Sequence, residues 1–67
     1  MSHGYKMYAS GFGRETYPFN TKEEAKRAMQ ADAKSTASQY AGTVQDFGDE
    51  ITVYASDGTD IATFTCF

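Results

Sequence analysis

His3 and Cys66 are the only histidine and the only cysteine in this 67-residue chain, and they are its only obvious pieces for nucleophilic chemistry. A reactive thiol needs a base beside it. These two stand at opposite ends of the chain, His3 in an N-terminus (residues 1–3) expected to fray and Cys66 on a face expected to be core. Two such ligands do not make a structural zinc site without several carboxylates. Gly11-Phe12-Gly13 has the start of a dinucleotide motif but no third glycine and no following helix, so it reads as a turn. Asp57-Gly58-Thr59-Asp60 offers oxygen ligands without the loop spacing and terminal bidentate glutamate of a calcium loop. The expectation is a protein that is not an enzyme and needs no cofactor or metal.

The residues that can act are those that bind. Before Ser35, six bases face four acids; from Ser35 to Phe67 no base faces five acids, Asp46, Asp49, Glu50, Asp57 and Asp60. The halves carry +2 and −5, which gives the net −3. An acidic surface steers toward basic partners and away from phosphates. The helix bases do not form one stripe: Lys22 and Lys26 point one way, Arg27 and Lys34 another. Glu23 can neutralise Arg27 at i,i+4. Direct nucleic-acid binding is therefore not expected, and the residues that could support it are these helix lysines and arginine. The chain has five tyrosines and five phenylalanines, enough to build a small core and to leave rings on the surface.

The elements that position these groups follow from period and punctuation. Tyr5–Ser10 alternates, with Tyr5, Met7 and Ala9 on one face and Lys6, Tyr8 and Ser10 on the other. After the glycine turn, Arg14–Phe19 forms a second strand, and Pro18 marks it as an edge. Thr21-Lys22-Glu23-Glu24 fits a capping box, with Thr21 as cap and Glu24 reaching back to the free amide; Asn20 with Glu23 is a rival. The helix runs to about Tyr40 and Gly42 ends it. Its inward stripe is Ala25, Ala28, Met29, Ala33, Thr36 and Tyr40, with Asp32 on the rim, solvated or bonded to a hydroxyl.

A meander completes the chain: Thr43–Phe47, Glu50–Ser56 and Thr59–Phe67. Asp57-Gly58 reads as a two-residue type I′ turn, which sets Tyr54 opposite Ile61 and Val53 opposite Ala62. Ile51, Val53, Ala62, Phe64, Cys66 and Val44 then lie under the helix. Gln45, Phe47, Thr52, Tyr54, Ile61, Thr63, Thr65 and Phe67 face away. The fold expected is α+β, in the order ββαβββ, one helix on one face of an antiparallel sheet in a single small domain, 1–67.

On the uncovered face, Phe47, Tyr54 and Ile61 are expected to form an apolar docking strip, with Tyr8 and Phe67 as further candidates. Asp49, Glu50, Asp57 and Asp60 at its ends would pair with a partner's lysines and arginines. Self-association of that face into a homodimer is the alternative to a foreign partner. The segment Tyr17-Pro18-Phe19-Asn20-Thr21-Lys22-Glu23-Glu24-Ala25 and the hairpin Ser56-Asp57-Gly58-Thr59-Asp60 lie within a layout that resembles the small phage-encoded anti-CRISPR proteins. That resemblance implies an inhibitor that occupies a basic surface of a host nucleoprotein complex such as a CRISPR effector. With a net charge of only −3, docking centred on aromatics and assisted by acids fits better than mimicry of nucleic acid. The chain has no long apolar run for a membrane and no charged segment followed by an apolar one for secretion. Its single cysteine suits a reducing cytoplasm, that of a host cell included.

Overall fold

A computed structural model describes residues 3–9 and 13–67. Five strands and one helix follow in the order β1 (His3–Ala9), β2 (Gly13–Phe19), α1 (Lys22–Gln39), β3 (Thr43–Asp46), β4 (Glu50–Tyr54) and β5 (Asp60–Cys66). All pairings are antiparallel, and the spatial order is β2-β1-β5-β4-β3. The α+β, ββαβββ architecture expected from the sequence is the one observed. Ser10, Gly11 and most of the expected glycine turn lie outside the described residues. His3, expected to fray, is the first residue of β1 and pairs with Phe19.

The helix starts where the sequence places it. Thr21 is the N-cap, its hydroxyl oxygen accepting the Glu24 N–H at 3.1 Å. The Glu24 carboxylate accepts the Thr21 hydroxyl at 3.1 Å, so the return bond of the box comes from the hydroxyl and not from the amide. At the other end the helix stops at Gln39. Ala41 takes the left-handed position, φ 52°, and the Gly42 N–H reaches the Ala37 carbonyl at 2.7 Å. This is a Schellman closure with alanine where glycine is usual. Gly42 serves a different need: a Cβ there would sit against the Tyr54 carbonyl oxygen.

The inward stripe is Ala25, Met29, Ala33 and Ala37, all buried. Tyr40, expected inside, is exposed, because the helix ends before it and a strict four-residue step leads to Ala37 instead. Small helix residues let the backbone approach the sheet, and the sheet supplies the bulk: Tyr5, Ile51, Val53 and Phe64 are buried beneath it. Tyr17 and Phe19 close the end of this core against the Tyr5 ring, with centroids 4.9 and 5.8 Å away. Val44 lies on the helix side but stays exposed, because β3 is an edge strand and the one the helix packs against least closely.

The β4–β5 turn corrects the expected register. Val53 does face Ala62, but Tyr54 faces Asp60, with a bulge between. The Ala55 N–H bonds to the Thr59 carbonyl, the Gly58 N–H to the Ala55 carbonyl, and only Gly58 of the loop has positive φ, 88°. A type I′ turn needs two such residues; this is the three-residue loop closed by a left-handed glycine. Ile61 is the extra residue. It is displaced from its place opposite Tyr54 and packs, half-buried, against the core.

Candidate functional site at the open sheet face

Cross-strand partners in a sheet share a face, so the register reads out the uncovered side row by row. One row is Thr16, Lys6, Thr65 and Glu50; the next is Arg14, Tyr8, Thr63, Thr52 and Gln45. At the end toward the helix N-terminus, Gly4 pairs with Pro18 and exchanges both backbone hydrogen bonds with Phe67, at 3.1 and 2.8 Å. Phe67 carries its ring over Gly4, where a side chain would collide with the Tyr17 carbonyl and the ring itself. No element of the described chain covers this face.

Two cations lie on it against aromatic rings. The Lys6 ammonium is 5.4 Å from the Phe67 centroid, and the Arg14 guanidinium is 5.5 Å from that of Tyr8. Such contacts contribute about 0.5–1 kcal/mol at exposed sites and leave the charge available. Neither cation has a carboxylate partner among the described residues. A shallow concavity over β2, β1 and β5 is lined by Lys6, Tyr8, Arg14, Thr16, Thr63 and Thr65. The pattern of Tyr5–Ser10 already turned Lys6 and Tyr8 away from the core. The sequence lacked the insertion of β5 between β1 and β4, which brings them beside Thr63 and Thr65.

The expected docking strip does not assemble. Phe47 is highly exposed, just past the end of β3, where its N–H meets the Glu50 carbonyl. Tyr54 sits four residues further along β4, about 13 Å at strand rise, and Ile61 belongs to the core edge. The acids also divide. Asp49 is paired within the chain: Lys22 Nζ lies 2.7 Å from Oδ2 and Lys26 Nζ 3.9 Å from Oδ1. The Lys22 bond holds the Asp49 carboxyl below the usual carboxylate range, and Asp49 in turn raises Lys22. The expected pairing of Glu23 with Arg27 is not formed. Asp57 accepts the Thr59 N–H at 2.9 Å, a bond that lowers its pKa, and Asp46 accepts the Gly48 N–H at 2.8 Å. Both carboxylates shape turns. Glu50 projects from the open face in the row of Lys6, and Asp60 stands at its far end, lining a small groove with Tyr8 and Thr63.

The groups first weighed for catalysis lie on the helix side. The Cys66 thiol is buried and 3.7 Å from the Asp49 carboxylate; burial, then Asp49, pushes its pKa up. A raised thiol is a poor nucleophile at neutral pH. His3 Nδ1 is buried and has no hydrogen-bond partner among the described residues. Asp32 accepts the Tyr5 hydroxyl at 2.8 Å, the hydroxyl-bonded arrangement the sequence allowed. Burial, with that bond second, pushes the Tyr5 phenol far up. Among the described residues no cluster of three or more His, Cys, Asp or Glu could hold a metal ion, and no helix is long and apolar enough to cross a membrane. Comparison with protein-family models, curated proteins and solved structures found no match.

Proposed function

We propose that this chain is a non-catalytic binding domain that docks on a protein partner through the open face of its sheet. The observation that supports this is a five-stranded sheet with a helix on one side only, whose bare side carries accessible rings and charges of both signs. The role suggested by the resemblance is an accessory inhibitor of the anti-CRISPR kind, in a host cytoplasm, set against a basic surface of a nucleoprotein complex. Glu50, Asp57 and Asp60 supply the carboxylates for such a surface, and Phe47 and Tyr54 supply rings at two ends of the face. Asp49 is better placed as an internal brace. Affinity capture from a host lysate with the wild-type chain and with Tyr8→Ala and Asp60→Lys tests the reading. A partner retained by the wild type and lost from both variants supports it; equal retention by all three overturns it.

A second reading is favoured by Lys6 over Phe67 and Arg14 over Tyr8, since cations interleaved with rings on a sheet also suit single-stranded nucleic acid. It moves that possibility from the helix bases to the sheet. Fluorescence anisotropy with a labelled oligonucleotide at low salt separates the two. Tight binding that weakens on Lys6→Glu favours the second reading, and no binding favours the first.

A further inference from the structure

The charges of the open face are arranged about its central strand, and from this we infer that the face also accepts a second copy of this chain. β5 is the middle of five strands. Lys6 on β1 and Glu50 on β4 both pair with the same β5 residue, Thr65. They therefore stand at one height, each about 5 Å from β5, on opposite sides of it. Arg14 on β2 and Gln45 on β3 have the same relation one row away, two strands to either side of Thr63.

A two-fold axis running along β5, between two facing sheets, exchanges left for right at constant height. It places Lys6 of one copy over Glu50 of the other, and Glu50 over Lys6, so that the contact is made twice, as an isologous interface requires. It also sets the Arg14 guanidinium over the Gln45 carboxamide. No like charges meet on these rows. The crossing of about 30° usual for packed sheets shifts groups this close to the axis by only about 2–3 Å, and facing sheets stand about 10 Å apart, within the joint reach of a lysine and a glutamate. At mid-height the axis crosses Thr63 and Thr65, whose short side chains let the faces approach; at the two ends it passes the Phe67 ring, which meets its own copy, and Asp60, whose carboxylate faces its own copy and weakens the association. Neither Lys6 nor Glu50 has an ion-pair partner within the described chain, so both are free to take one from outside.

A face of roughly 20 by 20 Å, as strand number and length give, buries on the order of 1,000 Å² across both copies, the low end for a specific interface. The dimer is accordingly weak and concentration-dependent. The inference shares with the proposed function only the premise that the open face is a docking surface; a second copy and a foreign partner would compete for it.

Sedimentation of the purified chain from about 10 µM to about 1 mM, a range suited to weak interfaces, tests it. Lys6→Glu and Glu50→Lys should each raise the dimer Kd about tenfold or more by setting like charges opposite, and the double exchange should bring it back near the wild type. Circular dichroism checks that all three remain folded, which the exposure of both residues favours. A wild-type chain that stays monomeric throughout, or a double exchange that fails to restore association, overturns the inference. So does a labelled single-stranded oligonucleotide that binds the monomer and is lost on Lys6→Glu. A monomer that still loses its captured protein on Tyr8→Ala overturns the dimer while leaving the docking reading intact.

Discussion

The two faces of one sheet solve opposite problems with the same alternation of side chains. Under the helix, Tyr5, Phe64, Ile51 and Val53 meet a stripe of alanines and one methionine, and almost nothing there touches water. On the other side, threonines surround Lys6, Tyr8, Arg14 and Phe67, and the rings lie against cations instead of against each other. The same residue type does different work on each side. Tyr5 buries its ring and ties its hydroxyl to Asp32, whereas Tyr8 leaves half its surface exposed, at 52%. Stability is concentrated on one face, and the other is left uncovered.

Substitutions test that division most sharply on the covered side. Phe64→Ala removes the largest fully buried side chain and should cost roughly 3–5 kcal/mol, comparable to the whole stability of a domain this small. Thermal unfolding followed by circular dichroism should show little or no cooperative transition. Gly42→Ala drives a methyl into the Tyr54 carbonyl and should cost about 1–3 kcal/mol, read as a lower urea midpoint. Ala41→Gly acts in the other direction: relief of the left-handed alanine, φ 52°, should stabilise by roughly 0.5–1 kcal/mol after the larger freedom of glycine in the unfolded chain is allowed for. On the open side, Tyr8→Ala loses the Arg14 contact and half a ring's burial and should cost only about 1 kcal/mol. A large loss there would mean that the bare face also holds the fold together.

The smallest expected effect is on pH dependence, and two of its sources lie on the helix side. Burial raises the Cys66 thiol, so its contribution is present below the ordinary thiol range and fades as pH rises through the folded value. Asp49 is held low by Lys22, so its contribution is present above the ordinary carboxylate range and is lost as pH falls through the depressed value. Denaturation midpoints across alkaline pH should fall less steeply in Cys66→Ala than in the wild type, and midpoints across acid pH less steeply in Lys22→Met.

Local chemistry in the sequence was enough for the elements and for the covered face. The Thr21 cap, the alternation of Tyr5, Met7 and Ala9, and the Val53–Ala62 pairing all rest on neighbours in the chain or across one turn. What escaped depended on distant placement or on one dihedral angle. Asp57 keeps a negative φ and leaves only Gly58 left-handed, which adds a residue to the turn and moves Ile61 from the docking strip to the core edge. The burial of Ala37 in place of Tyr40 followed from a helix that stops one residue early. Lys22 and Asp49 meet because β4 runs back beneath the helix start, which no local pattern encodes. The cationic half of the open face needed the strand order itself: Lys6 and Arg14 become its charge only when β1 joins the meander through β5.

The division of labour between the faces is tested most directly by placing a large charge at the centre of the bare one. Thr63 lies in the middle of the open face, between Tyr8 and Thr52. Thr63→Arg should leave the unfolding free energy within about 0.5 kcal/mol of the wild type while lowering affinity for the captured protein partner, measured by titration calorimetry, about tenfold or more. Undiminished affinity with an unchanged fold would place recognition elsewhere on the molecule and contradict the account.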